Sequence, residues 1–150
     1  MFNAYQMRII EICSQECFNQ QSGEESVYRL IEAYSLACKR AVASIDICPY
    51  IILDDILTLA AIIEPKNSKG FRHTAVSFKD GTTLTNARLI PQQIDRLLEF
   101  QTSMTESEFY QKFEEIHPFE DGNGRLGMIL FNWLANKLTF PVLAPEFIKR

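Results

Sequence analysis

The sequence predicts a mainly α domain with one inserted β-hairpin. Two observations carry the helices. Apolar residues return every three or four positions in separate stretches along the chain. Ser/Thr-x-x-Glu boxes and a proline stand where such stretches begin. A third observation carries the hairpin: only Phe71 to Thr85 alternates, and it does so around a Lys-Asp-Gly turn.

The elements follow in order. Met7, Ile10, Cys13 and Cys17 give the first helix, Asn3 to Phe18. Gln20-Gln21-Ser22-Gly23 breaks it. Ser22 and Glu25 fit a capping box for a second helix that runs to about Ser44. A third helix, Ile51 to Ile63, is apolar nearly all round and is expected at the centre. Glu64 to Gly70 is the clearest loop. The hairpin has Phe71 to Phe78 as one strand, Lys79-Asp80-Gly81 as its turn and Thr82 to Thr85 as the return. Pro91 opens a fourth helix, with Ile94, Leu97 and Leu98 inward. Thr105 and Glu108 cap a fifth, striped by Phe109, Phe113 and Ile116, which ends before Pro118. Leu126, Ile129, Leu130, Trp133 and Leu134 mark a sixth, expected to stop at Pro141.

The 150 residues suffice for a single domain, 1–150, with its own core. At 47% hydrophobic and 23% charged, the composition is that of an ordinary soluble globular chain. A net charge of −4 argues against a general nucleic-acid binder, which needs a basic face, so any anion site must be local. Cys13, Cys17, Cys38 and Cys48 lack zinc-site spacing and read as reduced core residues of a cytoplasmic protein. Met1 to Ile12 does not look like a signal peptide. The longest apolar run, Tyr50 to Ile63, is too short for a bilayer and contains Asp54 and Asp55, so no membrane role is expected.

Chemistry concentrates in His117-Pro118-Phe119-Glu120-Asp121-Gly122-Asn123-Gly124-Arg125. Glycines at a helix start let an anion approach free N–H groups at the positive end of the helix dipole. Histidine can move a proton near neutral pH. Aspartate can hold a divalent cation, and arginine can pair with phosphate. Taken alone, His117 would also serve as a helix C-cap and Asp121 as an N-cap. Gly122 to Gly127 fits the dinucleotide pattern G-x-G-x-x-G as well, but a helix precedes it where that pattern needs a strand.

These nine residues resemble the Fic family motif, H-P-F-x-[D/E]-G-N-G-R-x-x-R. The likeness extends loosely over about residues 50–140. It implies a Fic-type helical core whose upstream hairpin is a flap, with Gly70, Phe71 and Arg72 at its start and target-binding in role. It also implies a transferase that moves AMP, or another nucleotide-derived phosphate group, onto a Ser, Thr or Tyr hydroxyl of a target protein. His117 would match the general base. Gly122, Asn123 and Gly124 would match the anion hole, and Arg125 the arginine that neutralises phosphate charge. Asp121 would match the ligand of Mg²⁺, with ATP as substrate. Glu120 falls on the motif's variable position and carries no role. Toxin-like members delivered into a host cytosol belong to the same expectation.

Two departures stand out. The motif's second arginine falls on Met128, which has neither charge nor donor, so the donor nucleotide is open and Lys137 is one candidate for compensation. The family's inhibitory pattern, [S/T]-x-x-x-E-[G/N], has no full match; Thr102 to Ser107 comes nearest. Inhibition would then fall to a separate antitoxin-like protein. Two alternatives remain: a Doc-like kinase, against which Gly124 speaks, and a catalytically degenerate binding module. For Arg72 and His73, the plainer reading is of exposed hairpin residues.

Overall fold

The computed structural model describes residues 1–43, 46, 48–77, 81 and 84–145. Its helices are α1 (Ala4–Asn19), α2 (Glu24–Ala43), α3 (Leu53–Ile63), α4 (Ile90–Glu99), α5 (Glu106–Ile116) and α6 (Asn123–Leu134). Short 3₁₀ turns cover Pro65–Lys69, Ala87–Leu89 and Gln101–Ser103.

Local chemistry sets most boundaries. Asn3 opens α1 with a reciprocal box: its side chain accepts from the Gln6 N–H, and the Gln6 side chain accepts from the Asn3 N–H. Thr105 caps α5 by accepting from the Glu108 N–H at 3.1 Å. Pro91 lies in the first turn of α4, where no N–H is needed. Helix α2 begins at Glu24, one residue later than a cap on Ser22 requires, with the Gly23 carbonyl accepting from Ser26.

Helix α6, and not α3, is central. Every residue from Asn123 to Trp133 is buried, and α6 packs against α1, α2, α3 and α5. Helix α3 buries one face only: Asp55, Ile56, Leu59, Ala60 and Ile63. Its Asp55 pairs with Arg40 of α2 at 3.0 Å. Helix α6 also ends earlier than Pro141. It stops at Leu134, and Asn136 follows in the left-handed region (φ 57°). The chain beyond is tied down by side chains. Tyr34 donates to the Leu138 carbonyl, and Asn132 pairs with both the N–H and the carbonyl of Val142 at 2.9 Å.

The expected hairpin is not found among the described residues. Among the described residues the flap region holds no strand, only an isolated bridge at Ser77 and a 3.2 Å bond from the Leu84 N–H to the Val76 carbonyl. Phe78 to Asp80, in strand and turn, and Thr82 and Thr83 of the return lie outside the described residues. The physical reason is visible next to this segment. Arg72 spends its backbone N–H on the Pro118 carbonyl, so this stretch bonds the motif loop and not a partner strand. Among the described residues no helix is long and apolar enough to cross a membrane.

Candidate active site

The nine-residue stretch joins α5 to α6, with His117 to Gly122 as the loop and Asn123 to Arg125 in the first turn of α6. Four sets of bonds hold it. Asn67 donates to the Asp121 carbonyl at 2.9 Å and the Ala60 carbonyl at 3.2 Å, joining α3 to the loop. The Arg72 N–H reaches Pro118, as above. Asn123 turns its amide back on Phe119, accepting from its N–H at 3.0 Å and donating to its carbonyl at 2.9 Å. Phe119 is fully buried and stacks at a tilt on Phe71, with centroids 5.5 Å apart.

Arg72 supplies the fourth set. It is only 2% exposed, and its guanidinium donates to the carbonyls of His117 (2.6 Å), Thr74 (2.6 Å), Thr85 (2.6 Å) and Ile116 (3.1 Å). Two of those carbonyls lie at the C-terminal end of α5, where a cation also favours the helix dipole. The expectation that Arg72 faces a target, or solvent, is therefore corrected: its donors are consumed inside the fold. Gly70, with φ 94°, and Phe71 remain half-buried at its side.

His117 is the C-cap of α5 and sits in the left-handed region, φ 49° and ψ 62°. For a histidine that conformation is strained by about 1–3 kcal/mol. The Arg72 bond to its carbonyl helps to hold it there. Burial pushes its imidazole down to about pKa 4, and the nearby Arg72 charge adds to this. The Glu114 carbonyl and Asp121 pull the other way without cancelling it. At neutral pH the ring is uncharged and able to accept a proton.

Gly122 begins α6 in the left-handed region at φ 82°, and a Cβ there would stand 3.0 Å from Ile63 Cγ2. The left-handed turn favours glycine, and the close approach of Ile63 adds to that preference. Behind it the N–H groups of the first turn are aimed at the loop. Asn123 contributes through this backbone, because its side chain is committed to Phe119. Arg125 is 4% exposed at its side chain and pairs with the exposed Asp121 at 3.2 Å, while its Nε is buried without a hydrogen-bond partner. Asp121 Oδ1 also accepts from the Gly122 N–H at 2.8 Å. Met128 is fully buried in the core, so its thioether does not stand in for the missing arginine.

These groups line one cavity of about 200 Å³: His117, Glu120, Asp121, Gly122, Asn123 and Gly124, joined by Ser77, Leu84, Gln20 and Glu114. The sequence did not point to the last two. Gln20, the C-cap of α1, donates to Glu16 at 3.0 Å, and its amide lies on Gly124, 2.6–2.8 Å from where a Cβ would be. Glu114 is 2% exposed, and its Oε1 is buried without a hydrogen-bond partner. Desolvation, and then the Glu16 charge, raise its carboxyl to about pKa 8. A signal for Glu114 existed: it is an acid on the buried face shared by Tyr110, Phe113 and His117. No comparable signal marks Gln20, whose neighbour Gly124 is remote in sequence.

Among the described residues no group of three or more His, Cys, Asp or Glu could hold a metal unaided. Asp121 fits a different arrangement, one exposed carboxylate completing a Mg²⁺ shell of phosphate oxygens and water.

Comparison with curated proteins gives no match. Among solved structures, the fold is similar to that of a Fic family protein from Desulfovibrio desulfuricans G20, with a TM-score of 0.58 and 17% identity over 89% of this chain. The match covers 50% of that protein, so this chain spans about half its length. At that identity the likeness speaks for the fold alone. The sequence pattern of the Fic/DOC family matches residues 50–135, which include α3 to α6 and the whole motif loop. This chain therefore belongs to the Fic/DOC family.

Proposed function

We propose that the chain transfers a nucleotide-derived phosphate group, AMP in the simplest case, to a Ser, Thr or Tyr hydroxyl of a target protein. One observation carries this reading: an uncharged His117 shares a small cavity with the N-terminal amides of α6. A hydroxyl is a weak nucleophile, and a base in hydrogen-bond reach accelerates its reaction by about 10²–10⁴-fold. In the reaction the hydroxyl oxygen bonds to phosphorus, the bond from phosphorus to the leaving phosphate breaks, and the hydroxyl proton passes to His117.

The remaining residues serve charge and position. The first-turn N–H groups of α6 receive the phosphoryl oxygens. Arg125 offers its guanidinium to the charge that develops there. Asp121 would hold Mg²⁺, which supplies further neutralisation of phosphate oxygens when bound. Arg72 holds the backbone of the base, and burial, with the Arg72 charge second, keeps its ring uncharged.

The test is incubation of the purified chain with a lysate and ATP labelled at the α or the γ phosphate. Label from the α position, lost in His117→Ala, is the expected result. Label from the γ position alone would instead make the chain a protein kinase. Absence of transfer from ATP and from every other nucleotide donor would overturn the reading in favour of a binding role.

A further inference from the structure

Helix α4 carries opposite charge on its two flanks. Arg96, its one cation, leans over the Phe100 ring on one side, 6.0 Å from the centroid. Asp95 and Glu99 stand on the other, one helical turn apart and about 6 Å along the axis. Both are exposed, and among the described residues neither joins an ion pair.

These two acids rim an apolar groove of about 510 Å³ between the end of α4 and the start of α3. Tyr50, Ile52, Leu53 and Leu98 supply its walls. Tyr50 is 52% and Ile52 43% exposed, so water meets apolar surface on both. Among the described residues the lining holds no lysine or arginine. Arg40 touches the same loop but does not line the groove: it pairs with Asp55 and donates to the Cys48 and Tyr50 carbonyls, both at 3.2 Å.

The groove is built before any ligand arrives. Gln101 donates to the carbonyls of Ile51 at 2.8 Å and Leu98 at 2.9 Å, and accepts from the Ile51 N–H at 2.9 Å. The entry to α3 is thereby fastened to the end of α4. Preformed walls spare a ligand the cost of ordering them. Walls that stay half exposed suit a length of chain laid along the surface better than a small molecule, whose site encloses most of it. The acids then fix the sign of the partner. An apolar anchor gains by leaving water, and cations beside it meet carboxylates that have no ion pair within the chain. An acidic partner meets repulsion from both.

We propose that this groove docks a segment of another protein in which an apolar anchor is flanked by lysine or arginine. The proposal does not depend on the transferase reading. Helix α3 runs from the groove at Leu53 to Ile63, which packs on Gly122, so groove and motif loop stand about 15 Å apart. A docked segment leaves the cavity at His117 open.

The test follows backbone amide shifts of the purified, isotope-labelled chain by NMR during titration with three blocked hexapeptides. The first sets Leu-Phe between two lysines on either side, the second sets Leu-Phe between glutamates, and the third sets Gly-Ser between lysines. The first should bind about tenfold more tightly than either control and shift Ile51, Leu53, Leu98 and Thr102. Asp95→Asn combined with Glu99→Gln, both on the exposed side of α4, should weaken that binding about tenfold and leave the urea midpoint in place. Equal binding of the glutamate peptide would overturn the proposal. Equal binding of the Gly-Ser peptide would overturn it too, reducing the effect to attraction by the net charge of −4. Shifts confined to other residues, or none at millimolar peptide, would remove the groove as the site. Shifts at the same amides that grow with protein concentration alone would assign the groove to a second copy of this chain instead.

Discussion

Asn123 and Phe119 clasp each other across the start of α6, the Asn123 amide satisfying both the N–H and the carbonyl of Phe119. An amide side chain here does what a neighbouring strand would do. Both bonds are buried, so neither backbone group can turn to water instead. Asn123→Ala strands two buried polar groups at about 1–3 kcal/mol each. The expected loss is roughly 2–5 kcal/mol, read as a lower urea midpoint with an unchanged slope. Asn123→Asp should do no better, since it keeps the acceptor but sets a carboxylate against a carbonyl.

Arg72 is the second structural prediction. Lysine carries charge but not the planar fork that reaches four carbonyls. Arg72→Lys should cost about 3 kcal/mol or more, by analogy with breaking other buried charged networks. It should also release His117 from its left-handed conformation. The measurement is denaturation together with transfer activity, and both should fall.

The third prediction concerns the base. With His117 lowered to about 4, its neutral form dominates throughout pH 6–8. The rate kcat/KM should therefore be flat across that range and show its acid limb well below the usual histidine value of about 6.5. An imidazole titration followed by NMR gives the value directly. An acid limb at 6.5 would contradict the burial argument.

Glu114 and His117 also shape stability against pH, with opposite signs. Glu114 is raised from 4.5 to about 8, so the stability it contributes is complete below pH 4.5 and is lost as pH rises to 8. His117 is lowered from 6.5 to about 4, so its contribution is complete above pH 6.5 and is lost as pH falls toward 4. Between pH 6.5 and 8 only the Glu114 slope remains of the two. The chain should lose up to about 1.4 kcal/mol per pH unit there. Glu114→Gln should abolish that slope in urea titrations at pH 6.5, 7.2 and 8.

Local chemistry made much of this legible in the sequence. Thr105, Pro91 and the helical apolar spacing place α4 and α5 within a residue or two. Gly122 marks the start of α6 because its left-handed conformation favours glycine. Other features depend on residues remote in sequence. Arg72 looked like a surface residue because the sequence does not reveal that the end of α5, 44 positions away, lies within its reach. Gln20 and Glu114 meet at the cavity only once α1 and α5 pack on α6. Among the described residues the expected hairpin is not found for a related reason: alternation and an Asp-Gly turn describe a strand's own preference, while the Arg72 backbone N–H has its partner in Pro118. Pro141 is the first residue that forbids a helix after Leu134, so the sequence extends α6 to it, although the chain leaves the helix at Leu134 and turns left-handed at Asn136.

Among the described residues, the clasp at Phe119 is one of three. Gln101 pairs with both backbone groups of Ile51, at 2.9 and 2.8 Å, and Asn132 does the same for Val142. Each recipient lies outside regular secondary structure. Their amide protons are consequently bonded within the fold, those of Phe119 and Ile51 out of reach of solvent and that of Val142 partly so. In deuterium exchange, Phe119, Ile51 and Val142 should behave as three slow islands in otherwise fast loops. Their exchange would time the opening of the motif loop, the α3 entry and the C-terminal tail separately.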